Sequence, residues 1–210
     1  MRILTLFNEA DFEVRKPANQ KDFEDRYKDV LLAFPDMVDR AFMRLNMQIF
    51  SNVEPESRNK NLAAVCISGF LQGSMIKAFP NYCSYFINHN GSRFKMRKDN
   101  YEWLYVKKLD ENKRPSNIET DNSIKIMKQL SDSVMDTNAN VFLGYVATED
   151  NSYAQHIYAV YIVDKKVEWF TDLRGFVEKN TFGEVVTPVT PPVQTELKEG
   201  TVTIKKVDNA

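Results

Sequence analysis

The first eighty residues carry apolar side chains three and four positions apart, which is the spacing of amphipathic helices. This pattern predicts helices over Lys21 to Ala33, Asp36 to Phe50 and Ser57 to Phe79. Proline lacks the backbone donor that a helix interior uses, so we expect Pro35 to end or bend the first helix and Pro80 to close the third. The N-terminal part of the chain is therefore predicted to be mainly helical.

After Pro80 the apolar period changes to two, which is typical of strands whose faces differ. Asn90-Gly91 lies between two such runs and predicts a tight hairpin, because a type I′ turn needs positive φ at both central residues. A helix is predicted over Asn122 to Met135, with Thr120 or Asp121 as its cap. The predicted strands are Met1 to Asn8, Tyr82 to Asn88, Ser92 to Arg97, Tyr101 to Lys108, Val141 to Ala147, His156 to Val163 and Val167 to Thr171.

These elements predict an α+β fold, in which a helical N-terminal half packs on an antiparallel or mixed sheet of about six strands. The crossover helix would join two three-stranded groups. We expect one globular domain over residues 1–177, mainly helical up to residue 80 and mainly strands with one crossover helix from residue 81. Prolines and threonines predict an extended tail over residues 178–210, whose Gly200 to Val207 segment is expected to dock as a strand on a partner.

The charge of the chain is distributed in blocks. The whole chain has a formal charge of -1, but Ser92 to Pro115 carries eight Lys/Arg against four Asp/Glu. Glu9 to Asp39 has a net charge of -4, and Ser116 to Asp164 has a net charge of -5. We therefore expect anion binding to be local and sensitive to salt, since no basic field surrounds the whole protein.

Composition and motifs exclude several classes of protein. Cys66 and Cys83 are too few for a disulfide scaffold and form no CxxC pair, so a reducing, cytoplasmic compartment is expected. No segment has the apolar length of a membrane span, and no signal-peptide core is present. The phosphate-binding motif GxxxxGK[ST] does not occur, and no GxGxxG motif follows a predicted strand. His89 and His156 lack a metal-ligand spacing with the cysteines. We therefore expect no cofactor, no metal and no membrane partner; the Lys-, Asn- and Asp-rich composition resembles that of bacterial and phage proteins.

Basic and aromatic side chains share the central strands. The predicted binding residues are Arg93, Lys95, Arg97, Trp103, Tyr105, Lys107 and Lys108. Lys and Arg that contact phosphates, beside rings that stack on bases, are the combination of sheet-based single-strand binders. An acidic protein surface would be attracted by the same local charge. The leading hypothesis is a non-enzymatic binding protein for nucleic acid or an acidic protein; the alternative is a solvated basic face above ordinary core rings.

One segment suggests catalysis. The residues QHIYAVYIVDKKVEWFTDLRG place His156 at the start of a strand and Asp172 after the next strand. This segment resembles the His-strand-hairpin-strand-Asp part of papain-like cysteine peptidases, over about a tenth of the chain. The resemblance implies a cysteine hydrolase in which His156 is the base, Asp172 orients it and Cys66, on an upstream helix, is the nucleophile. The alternative is that Cys66 is a core residue, His156 a strand-end residue and Asp172 a turn residue.

The order helix, three strands, helix, strand is also the core order of PD-(D/E)xK nucleases. Such a site needs an acid-x-Lys beside further acids that hold Mg²⁺. The candidate triplets are Glu111-Asn112-Lys113, Asp164-Lys165-Lys166 and Glu196-Leu197-Lys198, which fall in a loop, a turn and the tail. Composition alone produces about four triplets of an acid, any residue and a Lys or Arg in a chain of this length, so we treat a degenerate nuclease as a remote alternative.

Overall fold

The computed structural model describes residues 12–54, 57–88, 92–116, 120–131 and 136–182. Within these ranges the protein has the predicted α+β fold. The strands are β1 (Glu13–Val14), β2 (Cys83–Asn88), β3 (Ser92–Arg97), β4 (Trp103–Lys108), β5 (Leu130–Ser131), β6 (Asn140–Ala147), β7 (Ala154–Val163) and β8 (Lys166–Asp172). The helices are α1 (Gln20–Arg26), α2 (Lys28–Arg44) with a π-helical extension (Leu45–Ile49), α3 (Lys60–Ala78), α4 (Asp121–Met127) and α5 (Leu173–Phe182).

Six strands form one mixed sheet in the order β2-β3-β4-β6-β7-β8. The antiparallel units β2-β3-β4 and β6-β7-β8 meet at the parallel pair β4-β6, across which α4 makes the connection. The prediction of two three-stranded groups with a crossover helix is therefore confirmed. Asp164 and Lys165 form the two-residue turn between β7 and β8, and both have positive φ, as a tight hairpin requires.

Helices α1, α2, α3 and α5 cover one face of the sheet, which we call the helical face. Its core joins Phe34 of α2 and Ile67 of α3 to strand residues such as Leu104 and Tyr161, all of them buried. Helix α2 continues through Pro35, so this proline does not end the helix, which was one of the two predicted outcomes. A proline inside a helix costs about 3 kcal/mol, but Pro35 is itself buried, so packing on the sheet outweighs the lost hydrogen bond.

Helix α4 lies on the opposite face, which we call the α4 face. Its predicted cap is confirmed, because Thr120 and Ser123 form a reciprocal capping box. The predicted extension to Met135 is wrong: α4 ends at Met127, and Gln129 has a φ of 56°, outside the helical region. The buried Gln129 side chain donates to the carbonyls of Asn140 and Ile162 and accepts from the Asn140 amide, so it fixes this turn against β6 and β7.

The pattern of apolar positions did not indicate α5. This helix follows β8 directly and crosses the predicted boundary between residues 177 and 178, so the start of the predicted tail is helical up to Phe182. Leu173 is fully buried against the helical face, which explains why the chain turns back onto the domain. The predicted strand Met1 to Asn8 and the predicted docking segment Gly200 to Val207 lie outside the described residues.

Candidate anion-binding face

Strand β3 separates its basic residues from its apolar ones. Phe94 and Met96 are buried in the helical-face core, with exposed fractions of 3% and 0%. Lys95 and Arg97 alternate with them and therefore point to the α4 face. Because Lys95 pairs with Tyr105 of β4, the antiparallel register brings Arg97 opposite Trp103 on that same face. The predicted alternation of basic and apolar residues thus has a structural cause.

Both cations lie over the ring of Trp103. The Lys95 Nζ is 3.9 Å from the ring centroid, and the Arg97 Cζ is 4.2 Å from it. Cation–π contacts of this length stabilise a charge without neutralising it. Trp103 itself is only 3% exposed, so the indole supports the cations from below and does not offer a ring face to a ligand.

One carboxylate, that of Asp136, is shared by several donors. The Trp103 indole donates to both of its oxygens, at 2.8 and 3.0 Å. Arg15 Nη2 lies 3.4 Å from one oxygen and Arg97 Nη1 lies 3.5 Å from the other. We refer to Arg15, Lys95, Arg97, Trp103 and Asp136 as the basic cluster.

Arg15 also anchors the backbone at this site. Its Nη1 donates to the carbonyls of Asp136 and Asn138, at 2.7 Å each, and its side chain is only 8% exposed. Arg15 follows β1, which pairs with β5, and Ser131 of β5 donates from its hydroxyl to the Asp136 carbonyl at 2.7 Å. The guanidinium therefore fixes Asp136 in position, and its hydrogen-bonding capacity is largely used.

Arg97 has hydrogen-bonding capacity that the cluster does not use. Its Nε is buried and makes no hydrogen bond in the described part of the chain. Its contact with Asp136 is longer than an ideal charge-assisted hydrogen bond, which is about 2.7–2.9 Å. The side chain is 19% exposed, so part of it remains accessible from the α4 face. Because the Nε is buried, an added anion would reach Arg97 only through this exposed part.

The pKa values reflect the crowding of like charge. Burial opposes ionisation of Asp136, but the Trp103 hydrogen bond and the charge of Arg15 together hold the pKa of this carboxyl below its ordinary value. The pKa of Lys95 is lowered, first by burial and then by the nearby Arg15 and Arg97, although Asp136 acts in the opposite direction. The cluster thus favours a negative charge at Asp136 and penalises the positive charge on Lys95.

The remaining predicted binding residues are divided between the faces. Tyr105 is 3% exposed and packs on Phe142, with 5.9 Å between the ring centroids, so no ring face is open for base stacking. Lys107 follows Tyr105 on the α4 face by alternation, whereas Lys108 belongs to the helical face. Arg93 pairs with Ile87 through the backbone, and its side chain lies outside the described structure.

The sheet separates the members of the hypothetical hydrolase triad. Cys66, on α3, packs against the helical-face core. The ring of His156 stacks on Tyr158, a residue of the α4-face core, with 5.7 Å between centroids. Asp172 pairs with Tyr158 across β7 and β8, and its carboxylate accepts a hydrogen bond from the Arg174 amide. Since the thiol and the imidazole are on opposite faces, this triad does not form.

The acid-x-Lys triplets that lie among the described residues do not form a metal site. Glu111 and Lys113 lie in the turn after β4, and Asp164 and Lys165 lie in the β7-β8 turn, whereas Glu196 is outside the described residues. Among the described residues, no group of three or more His, Cys, Asp or Glu is placed to hold a metal ion. The described helices include none that is long and apolar enough to cross a membrane.

The search for relatives returned no match among family models, curated proteins or solved structures. The site therefore has to be judged on its own geometry. Two of its members, Arg15 and Asp136, were missed by sequence reasoning because they lie outside the basic stretch and 121 positions apart. A lone arginine before a helix and an acid in a polar loop carry no periodic signal, so only the folded chain brings them together.

Proposed function

We propose that this protein is a non-enzymatic binding protein that docks an acidic segment of a partner protein on the basic cluster. The proposal rests on the state of Arg97: its guanidinium stacks on Trp103, its side chain is partly exposed, and its contact with Asp136, at 3.5 Å, is longer than an ideal charge-assisted hydrogen bond. Arginine prefers planar, bidentate contacts with carboxylates, so an acidic side chain suits this position. Lys95 adds a second positive charge on the same ring.

The burial of the aromatic rings favours an acidic protein over single-stranded nucleic acid. Stacking on exposed rings supplies much of the affinity of single-strand binders, and Trp103 and Tyr105 are each 3% exposed. A carboxylate needs only the charged groups and no ring face. The positive charge is also local, because the acidic block Ser116 to Asp164 follows the basic stretch directly in sequence, and a long polyanion would extend beyond it.

The proposal can be tested by fluorescence anisotropy with two labelled probes, a hexaglutamate peptide and an oligothymidylate, at low and moderate salt. We expect the peptide to bind with an affinity that falls as salt is added. The double variant Lys95→Gln, Arg97→Gln is expected to weaken it by about tenfold or more, because a charge-assisted hydrogen bond is lost. Lys28→Gln, Lys77→Gln is the matched control, since it removes the same charge from helices α2 and α3 without touching the cluster.

Trp103 provides a second readout. The chain has two tryptophans, and Trp169 belongs to the opposite, helical face, so Trp169→Phe leaves Trp103 as the remaining indole. Binding of hexaglutamate at Arg97 is expected to change the fluorescence of Trp103 over the same range of concentration that changes the anisotropy of the labelled peptide. Failure of hexaglutamate to bind at low salt would overturn the proposal. Tighter binding of oligothymidylate, with the same dependence on Lys95 and Arg97, would replace the acidic partner with nucleic acid.

A further inference from the structure

The helical face contains a second candidate site, separated from the basic cluster by the sheet. A cleft of about 500 Å³ opens between helix α3 and the neighbouring strands β4 and β6. Clefts of roughly 300–1,000 Å³ with apolar walls and a few convergent polar groups are typical of small-molecule sites. The residues that matter here are Val65, Ser68, Gly69, Gln72, Lys108 and Tyr145.

Lys108 and Tyr145 provide the polar end of the cleft. They are direct cross-strand neighbours in the parallel β4-β6 pair, so their side chains project side by side from the helical face. Lys108 Nζ donates to Asn151 Oδ1 at 3.1 Å, which is a neutral acceptor. No described carboxylate pairs with Lys108, and burial followed by the charge of Lys60 lowers its pKa. The ammonium is therefore half-buried beside like charge, without a compensating anion among the described residues.

Tyr145 contributes a hydroxyl donor. Its ring is 2% exposed and meets Phe42 edge-on, with centroids 5.4 Å apart, so the ring is held in one orientation. Burial alone raises the pKa of Tyr145, which means that the hydroxyl keeps its proton, and no hydrogen bond links it to another described residue. A buried phenol that lines a cleft gains free energy when a ligand accepts from it.

Helix α3 provides the other wall, which is mixed in character. Gln72 donates to the hydroxyl of Ser68 at 2.9 Å, so one polar pair is fixed on the wall. Val65, 70% exposed, supplies apolar surface near the entrance. A Cβ built on Gly69 would meet nothing within 4 Å, so the cleft is open at this turn of the helix.

We propose that this cleft binds a small organic anion, whose acidic group meets the Lys108 ammonium and the Tyr145 hydroxyl while its apolar body lies along α3 at Val65 and Gly69. Charge complementarity selects an anion, because the polar end presents donors and a positive charge. The apolar part of the α3 wall, at Val65 and Gly69, favours an organic body over inorganic phosphate. This ligand class and this surface are distinct from the acidic protein segment proposed for the α4 face, and neither proposal depends on the other.

Two related fluorescent probes separate the charge from the apolar body. Anilinonaphthalene sulfonate carries an acidic group, and N-phenyl-1-naphthylamine has the same aromatic framework without it. We expect Lys108→Met to lower the binding affinity of the sulfonate probe by about tenfold, because a charge-assisted contact in a half-buried site is lost. The affinity of the uncharged amine probe should change by less than about twofold in this variant, since its apolar contacts remain.

Gly69→Leu blocks the cleft with little risk to the fold. A Cβ at this position meets nothing within 4 Å, and replacing glycine inside a helix favours folding. Gly73→Leu is the matched control: a Cβ there also meets nothing within 4 Å, but Gly73 does not line the cleft. We expect Gly69→Leu to abolish binding of both probes at one site per chain and Gly73→Leu to preserve it.

Each result either supports the proposal or overturns it. Binding that survives Gly69→Leu, or that falls equally in Gly73→Leu, would place the probes elsewhere, for example on the exposed Met43 and Met47, and the proposal would fail. If Lys108→Met lowers the binding affinity of both probes equally, Lys108 does not recognise the acidic group, and the proposal of an anionic ligand would be overturned. Tyr145→Phe provides a mild further variant, because it removes the hydroxyl and keeps the ring against Phe42. Tyr145→Phe should lower the binding affinity of the sulfonate probe more than that of the amine probe. A larger loss for the amine probe would contradict the assigned contact of the hydroxyl with the acidic group.

Discussion

Replacing Asp136 by asparagine should lower stability and raise anion affinity at the same time. The new amide side chain would keep one oxygen for the Trp103 indole, which now donates to both carboxylate oxygens at 2.8 and 3.0 Å. It would lack the charge that faces Arg15 at 3.4 Å and Arg97 at 3.5 Å. The fold loses a stabilising anion, whereas a ligand at Arg97 loses a competitor for the same cation.

The loss of stability can be bounded from burial. The side chains of Asp136, Arg15 and Arg97 are 26%, 8% and 19% exposed, which places the ion pairs between the surface and interior cases. Exposed pairs contribute about 0–1 kcal/mol, and removal of one partner of a buried pair costs about 3–5 kcal/mol. We therefore expect the free energy of unfolding to fall by about 2 kcal/mol, or about 1 M in the urea midpoint.

The gain in affinity follows from Coulomb's law. A ligand carboxylate about 6 Å from Asp136 is repelled by about 0.7 kcal/mol in water, so neutralising Asp136 should tighten hexaglutamate binding by about threefold. The opposite signs of the two effects make the test specific. A variant that merely loosens the cluster would weaken both folding and binding.

The pH dependence provides a further check on the stability term. Because folding lowers the pKa of Asp136 below its ordinary value of 3.8, its contribution is present above that pH and is lost as the pH falls through the folded value. The free energy of unfolding of the wild-type protein should therefore exceed that of Asp136→Asn by a constant amount between about pH 5 and 7. This difference should disappear on acidification below pH 3.8.

Urea unfolding at several pH values and anisotropy titrations at fixed low salt measure both effects. Asp36→Asn is the control, since it removes the same charge from an exposed pair with Arg40 on α2. It should change stability by less than about 1 kcal/mol. An Asp136→Asn protein as stable as this control, or one that binds hexaglutamate more weakly than the wild type, would refute the assigned role of Asp136.

Two other outcomes test the close packing of the sheet and the separation of the hypothetical triad. Gly144→Ala should cost about 1–3 kcal/mol in thermal unfolding, because its new Cβ would lie 2.7 Å from the backbone oxygen of Lys107; Gly175→Ala, where nothing lies within 4 Å, is the control. In a background where the chain's other cysteine is serine, iodoacetamide should alkylate Cys66 at the same rate with and without His156→Ala, whereas a rate that depends on His156 would mean that the two side chains meet after all.

Much of the sheet could be predicted because its signals are local. The alternation of Lys95 and Arg97 with Phe94 and Met96 follows directly from the pleat, so it predicted both the strand and its two faces. The extent of α4 could not be predicted in the same way. Gln129 ends that helix by hydrogen bonds to β6 and β7, which are contacts that no local pattern contains.

The placement of the hypothetical triad could not be predicted, for a related reason. Sequence order places Cys66 on a helix upstream of His156 and Asp172, as the resemblance requires, but order does not determine which face of the sheet the helix covers. Apolar residues such as Ile67 and Leu71 fix α3 to the helical face, whereas alternation along β7 turns His156 to the α4 face. A motif defined by sequence order and spacing therefore does not show whether the three side chains lie on the same face of the sheet, which nucleophilic catalysis also needs.

The basic side chains between Ser92 and Pro115 form one continuous stretch in the sequence but are divided between the two faces of the sheet in the fold. Lys107 and Lys108 are adjacent, yet the pleat sends them to opposite faces, so the positive charge that looks continuous in sequence is divided by a closely packed sheet. On the α4 face the charge meets buried rings and Asp136, which suits a carboxylate that arrives from outside. On the helical face Lys108 meets a cleft and a tyrosine hydroxyl, which suits an anion small enough to enter. The net charge of the stretch therefore does not predict where each charge lies in the fold, whereas the alternation along a strand decides which face of the sheet a given Lys or Arg reaches.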